Sequence, residues 1–183
     1  MEQFVTEALD DIKGEYWALY ENAFQELRSQ AVQRHLMFRS EFEELLQDKR
    51  VPKYVVRDEE QGRVAALSTM TNDLAAVPLI SPEYFERNWP ELYASQRIWY
   101  VGFVAVDPDY QGSPAMGGLI EKLCQDVDTS GGLVCLDICE HRSRRMLAAG
   151  IERLAGQHLP GLIRTRLDAQ VFWGYEFPDT KSA

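Results

Sequence analysis

The residues best placed to do chemistry lie in one run. An apolar stretch, Ile98–Val106, passes into Asp107-Pro108-Asp109-Tyr110-Gln111-Gly112-Ser113, and Pro114 opens a segment with helical periodicity. Small residues crowd the junction: Gly112, Ser113, Ala115, Gly117 and Gly118. A strand that delivers the chain to a tight loop before a helix aims backbone N–H groups and the positive helix end at one point, where a phosphate fits. The spacing is neither a Walker A loop, since no Gly-Lys-Ser/Thr follows, nor the G-x-G-x-x-G of a dinucleotide fold. Groups able to move a proton come after the next apolar run. They are Glu140 and His141, the imidazole with an ordinary pKa near ~6.5, suited to taking a proton from an ammonium. The competing reading of His141 is an exposed residue of a first helical turn. Arg142, Arg144 and Arg145 follow; cations there oppose the helix dipole unless an anion meets them, and otherwise are solvated.

These residues need a frame. Tyr16, Tyr20, Ala23 and Leu27, beside Trp17, Phe24 and Ala31, recur at helical spacings. A second helix starts near Ser40, with Ser40 and Glu43 as a capping box, and Pro52 marks its end. Lys53–Asp58 and Arg63–Met70 read as a hairpin about Glu59-Glu60-Gln61-Gly62. Residues 71–96 form an elaboration with a Ser81-Pro82 helix start and a break or restart at Pro90. Arg97–Val106 is the strongest strand, Pro114 begins a helix that Ser130-Gly131-Gly132 ends, and Leu133–Cys139 reads as a buried strand. A helix from about Ser143 to Gln157 and two strands, Leu162–Asp168 and Gln170–Phe177, complete the order. Alternating strands and helices in the second half imply a mixed α/β sheet in a single domain spanning 1–183.

The run Val104-Ala105-Val106-Asp107-Pro108-Asp109-Tyr110-Gln111-Gly112 resembles motif A of the GNAT acyl-CoA N-acyltransferases, and the element order resembles their topology. The resemblance implies an α/β GNAT fold with a mixed, mostly antiparallel central sheet flanked by helices. It implies acetyl-CoA or another acyl-CoA as co-substrate, its pyrophosphate cradled by Gln111, Gly112, Ser113, Pro114, Ala115, Met116 and Gly117, and its pantetheine arm along Phe103, Val104, Ala105 and Val106. The chain departs from the pattern at Pro114, where the family has its first glycine, and at Met116, where it has Gly or Ala. Many members carry a Glu in the middle of the motif A strand; that position here is Gly102 or Phe103. Many carry a proton-donating Tyr on the last helix, a place occupied here by Leu147 or Ala148. The resemblance also implies pairing of two copies through a C-terminal strand such as Gln170–Phe177.

Catalytic candidates are therefore His141, Glu140 and Tyr175, with Tyr100 beside them. The aromatic stripe supplies Tyr84, Trp89, Trp99 and Tyr100 as candidates for contacting an acceptor, or else as core side chains. Net charge is −10 over 183 residues, which disfavours nucleic acid, although Arg142, Arg144, Arg145, Arg153, Arg164 and Arg166 face only Glu152 between 142 and 166. Such a local basic patch suits a small anion. Three cysteines, Cys124, Cys135 and Cys139, read as core thiols in a cytoplasmic protein without a metal site. No apolar stretch is long enough to span a membrane, and the acidic start MEQFVTEALDD is no secretory signal. Two functions follow: acyl transfer to the primary amine of a small molecule, or a GNAT-like ligand-binding or protein-interaction domain that has lost catalysis.

Overall fold

The hairpin of β2 (Lys53–Asp58) and β3 (Arg63–Thr71) forms where the β-branched runs place it. Its turn sets Gly62 at φ 64°, a left-handed conformation that glycine adopts without a Cβ clash. The computed structural model describes residues 2–4, 13–78, 80–111, 113–128, 131–140 and 147–177. Around the hairpin, β1 (Glu2–Phe4) pairs antiparallel with β2, and β4 (Ile98–Val106) antiparallel with β3. β5 (Leu133–Cys135) runs parallel to β4, giving the order β1-β2-β3-β4-β5. A parallel neighbour requires a crossover, and α6 (Pro114–Asp128) supplies it.

Each face of the sheet is covered because strand residues alternate sides. On one face α1 (Lys13–Phe24) and α3 (Arg39–Gln47), with the short α2 (Leu27–Gln30) between them, build an aromatic core. The Tyr20 ring lies 4.8 Å from Phe42 and 5.0 Å from Phe103, centroid to centroid. Its hydroxyl donates to the His35 carbonyl and accepts from the Met37 N–H, so the polar end of a buried tyrosine is satisfied. Phe42 is fully buried there, and its truncation to Ala costs about 3–5 kcal/mol. On the other face Leu119, Leu123 and Val127 of α6 pack on Tyr54, Ala66, Met70 and Val101. The Tyr54 hydroxyl donates to Asp126 at 2.9 Å, a carboxylate that also holds Lys122, which locks the crossover helix to β2.

Two smaller clusters complete the body. α4 (Pro82–Asn88) and α5 (Pro90–Ala94) each begin at a proline, where the missing N–H costs nothing, and Phe85 packs with Leu74, Ile98, Tyr100 and Cys135. α7 (Leu147–Ala155) meets α6 through Ile120, Cys124 and Ala155.

Four expectations are corrected. The second helix begins near Ser40 as expected, at Arg39, but its capping carboxylate is Glu41 rather than Glu43, and accepts the Phe38 N–H at 2.6 Å. Arg34 beside it holds the Glu41 carboxyl down at about 2, while Glu43 pairs with Arg39 one turn away. β5 stops at Cys135 instead of continuing to Cys139. Neither Leu162–Asp168 nor Gln170–Phe177 forms a strand; Gly161 turns the chain outward at φ 87°, and nearly every side chain from 162 to 177 is exposed. Alternation identifies a face, whereas a strand also needs an edge to pair with, and these runs meet none. β1, three residues long, gives no periodic signal in the sequence. The expected start of the last helix, 143–146, lies outside the described residues.

Lys53 is a buried cation on β2 whose ammonium donates to the Asp48 carbonyl at 2.6 Å. Burial pulls its pKa down to about 8. Below that value the folded and unfolded chains are both protonated and the cost of burying the charge is constant. From about 8 up to the ordinary lysine value near ~10.4 the unfolded chain binds the proton that the folded chain has released, so stability rises with pH. Urea denaturation of the wild type and of Lys53→Met should therefore show the difference moving in favour of the wild type between pH 7 and pH 10. A difference that stays flat would place the charge in water.

Candidate functional site

β4 is three times as long as its parallel partner. Only Ile98, Trp99 and Tyr100 pair with β5, against Leu133, Val134 and Cys135. From Val101 to Val106 β4 keeps β3 on one side and, among the described residues, has no strand on the other. A wedge opens there, edged by backbone groups that a strand-like ligand can pair with. Phe103 and Ala105 turn their side chains into the α1–α3 core, and Val104 and Val106 turn theirs toward α6. These four residues can therefore offer the wedge only main chain.

The loop at the wide end of the wedge is pinned. The Tyr110 hydroxyl donates to Asp58 and accepts from Arg63 Nε at 3.2 Å, and the guanidinium of Arg63 pairs with Asp109 at 3.0 Å. The Tyr110 hydrogen bond holds the Asp58 carboxyl below its usual range, and Arg63 is held more firmly protonated than an ordinary arginine. Asp107 accepts the Asp109 N–H at 2.9 Å. The carboxylates of an acidic loop are thus consumed within it and spare a nearby anion. Ser113 Oγ accepts the Ala115 N–H, which leaves the next first-turn donor of α6, at Met116, without an intrahelical partner. The Met116 side chain packs beside Ile120, Cys124 and Ala155, away from the loop. A Cβ placed on Gly117 would meet nothing within 4 Å. Pro114 takes the first helical position, where an N–H is dispensable. The donor, the helix end and the open space fit a pyrophosphate.

β4 bulges where the wedge begins: Thr69 pairs with Phe103 but Met70 with Val101, so Gly102 is the extra residue. Thr69 Oγ1 is buried and, among the described residues, has no hydrogen-bond partner. A Cβ on Gly102 would lie 2.6 Å from it. Just below the bulge, the Tyr100 hydroxyl donates to Asp137 at 2.9 Å, bridging β4 to the segment after β5. Burial, reinforced by that carboxylate, raises the Tyr100 pKa and keeps the phenol protonated.

No protein-family model matches the chain, and no curated protein matches it in sequence. Solved structures do match in shape. An aminoglycoside acetyltransferase from an uncultured soil metagenomic sample, in complex with sisomicin, superposes with a TM-score of 0.53 at 13% identity, over 94% of this chain and 95% of that one. A Trypanosoma brucei acetyltransferase gives 0.52 at 17% identity, over 94% and 99%. A Bacillus halodurans protein gives 0.54 at 15% identity, over 94% and 99%. The chain has the GNAT acetyltransferase fold.

Within that fold the expected residues divide. Gln111, Ser113, Ala115 and Gly117 stand at the loop and helix start, with Gly112 outside the described residues. Glu140 is exposed three positions beyond Asp137; His141, Arg142, Arg144 and Arg145 lie outside the described residues. Tyr175 sits on the exposed C-terminal segment and joins none of the contacts of the wedge. Tyr84, Trp89 and Tyr100 belong to one side of the sheet, where the Tyr84 and Trp89 rings meet at a tilt of 58° with centroids 6.1 Å apart, whereas Trp99 packs on the α6 side. Asp137 and Thr69 were missed. Asp137 had a signal, as the lone acid in the apolar run LVCLDIC; Thr69, one of three hydroxyl residues near the end of an ordinary strand, had none. Gly102→Ala should destabilise by about 1–3 kcal/mol through overpacking on Thr69. Chemical denaturation of Gly102→Ala in a Thr69→Ala background should recover most of that loss; equal losses in both backgrounds would move the clash elsewhere.

Proposed function

We propose that the chain is an acyl-CoA-dependent N-acyltransferase that moves an acetyl or longer acyl group to the primary amine of a small molecule. The observation that carries this reading is the divergence of β4 from β5 with the α6 N-terminus at its wide end. That arrangement fits a ligand with a phosphate at one end and an extended amide arm. The first-turn N–H group at Met116 and the positive end of α6 would hold the pyrophosphate, with Gln111, Ser113 and the open space at Gly117 bordering it, and the free edge of β4 from Val101 to Val106 would pair with the arm. Bound there, acyl-CoA would supply an activated thioester.

The chain's own residues would do the rest. The exposed Asp137 carboxylate, steadied by Tyr100, offers an ammonium a charge-assisted hydrogen bond at the narrow end of the wedge. Proximity then supplies much of the rate, since amine and thioester share one cleft. The amine nitrogen attacks the thioester carbonyl carbon, the C–S bond breaks, and the thiolate leaves. Glu140 and His141, next along the chain, are the groups proposed to take the amine's proton. The free thiols of Cys124, Cys135 and Cys139 support a reducing, cytoplasmic setting. The second reading, a ligand-binding domain without turnover, is favoured by Gly102, which places no carboxylate at the bulge.

Calorimetric titration with acetyl-CoA and then longer acyl-CoAs, followed by thiol release with a panel of amines, separates the two. Saturable binding with amine-dependent thiol release is the expected result. Binding without release assigns the second reading, and no binding to any acyl-CoA removes the coenzyme A assignment and puts the second reading, a non-catalytic binding or interaction domain, first. Asp137→Asn should raise the KM for the amine about 10- to 100-fold and leave acyl-CoA affinity unchanged. Equal weakening of both would assign Asp137 a purely structural role.

A further inference from the structure

Among the described residues, the buried polar side chains gather at one place in the sheet: Lys53 at the start of β2, with Ser68, Thr69 and Thr71 at the end of β3. Three of them are satisfied. The Lys53 ammonium donates to the Asp48 carbonyl, Ser68 Oγ to the Phe103 carbonyl at 2.6 Å, and Thr71 Oγ1 to the Arg50 carbonyl at 2.7 Å. Thr69 is the exception. It is 1% exposed, and its Oγ1 has no partner among the described residues. An unpaired buried hydroxyl costs free energy, and a valine would fill the same shape on a strand without that cost. The position gives the hydroxyl a use. Opposed residues of neighbouring strands share a face, so Thr69 lies on the side of its partner Phe103 and, through the pair Thr71 and Tyr100, on the side of Tyr100. On that side Phe103 belongs to the α1–α3 core and Tyr100 to the cluster under α4. Gly102 stands between these two apolar bodies, exposed, and the Cβ it lacks would point at Thr69 Oγ1.

We propose that Thr69 is an amine-contact residue whose hydroxyl takes one N–H of the attacking nitrogen, beside Asp137, and so selects a primary amine over an N-methylated one. The proposal rests on the acyltransferase reading above. With the pyrophosphate at the α6 end of the wedge and the arm running along β4 from Val106 back to Val101, the thioester arrives at the bulge. A neutral primary amine carries one lone pair and two N–H bonds. The lone pair must face the thioester carbonyl carbon, so both N–H bonds need acceptors from the protein. Asp137 supplies one, held by Tyr100, two positions from Gly102 on β4. Thr69 Oγ1 supplies the other, since a hydroxyl oxygen has lone pairs to accept with. Gly102, having no Cβ, leaves the line between that oxygen and the wedge unfilled. Thr69 orients the nitrogen and takes no proton; C–N bond formation, C–S cleavage and proton transfer to Glu140 or His141 follow as described. A secondary amine brings a methyl where the second N–H would be, and the hydroxyl stays unpaired. A site that hydrogen-bonds an N–H rejects the analogue lacking it for this reason.

Thr69→Val keeps the shape and removes the hydroxyl, and the full chain carrying it tests the proposal by two readouts. Its melting midpoint should equal that of the wild type or exceed it by about 2–4 °C, because a buried unpaired group is gone. In thiol release from acetyl-CoA, with a primary amine that the wild type acylates, kcat/KM for the amine should fall about 3- to 10-fold while acetyl-CoA affinity holds. The wild-type preference for that amine over its N-methyl analogue should shrink by the same factor. Thr69→Ser, which restores the hydroxyl, should recover both. If Thr69→Val fails to fold, Thr69→Ser and Thr69→Ala are compared in the same way, and equal selectivity in those two overturns the proposal. A Thr69→Val enzyme as active and as selective as the wild type overturns it as well, and leaves the acyltransferase reading standing. A wild type that releases no thiol with any amine removes the proposal together with the reading beneath it.

Discussion

The ladder between β4 and β5 is three residues long, and much of the rest of the structure depends on where it stops. Three pairs hold the strands parallel as far as Tyr100 and Cys135, after which they part. Had the ladder continued, the free edge of β4 would be consumed as ordinary sheet and the start of α6 would face a closed surface. The bulge at Gly102 falls at the point of divergence and adds local twist there. Thr69 fills the space left by the missing Cβ, so the bulge and the glycine belong to one packing solution. A side chain at 102 would have to displace a buried hydroxyl held on a β-branched rotamer.

The wedge is useful only if its wide end tolerates an anion, and this is an acidic chain. The loop from Asp107 to Ser113 contains two carboxylates, and a third, Asp58, reaches it from the hairpin. Each is tied up: Asp107 by a backbone N–H, Asp109 by Arg63 and Asp58 by the Tyr110 hydroxyl. The local field near the helix start is therefore set more by α6's own N–H groups and less by the nearby acids. Tyr110 accordingly works as a structural tie between the loop and the β2–β3 hairpin. Its half-buried ring and shared hydrogen bonds make that tie geometric first, with little stabilisation from the exposed Arg63–Asp109 ion pair beside it.

Much of this frame was legible in the residues. The hairpin, the long strand, the loop and the crossover helix were read at nearly their observed bounds, because alternation and helical periodicity report on local burial. The strand–loop–helix junction proposed to cradle a phosphate was legible for the same reason, since glycines and a proline at a helix start have local meaning. What was not legible depends on partners distant in sequence. Asp137 becomes a candidate for the site only through its hydrogen bond with Tyr100, 37 positions away. The bulge that isolates Gly102 is a matter of register between two strands, which no window along one strand contains. Met116 looked obstructive beside a phosphate until α7 gave its side chain somewhere else to go.

The C-terminal runs show the same limit from the other side. Their pattern is that of strands, and the prediction of strands failed on the chain taken alone because backbone pairing is a relation between two segments. A row of unpaired N–H and C=O groups is as incomplete as an uncovered apolar face. The segment from 168 to 177 has both among the described residues. The early halt of the β4–β5 ladder has two consequences for the molecule: it opens the wedge toward α6, and it leaves β5 too short to close its own side of the sheet.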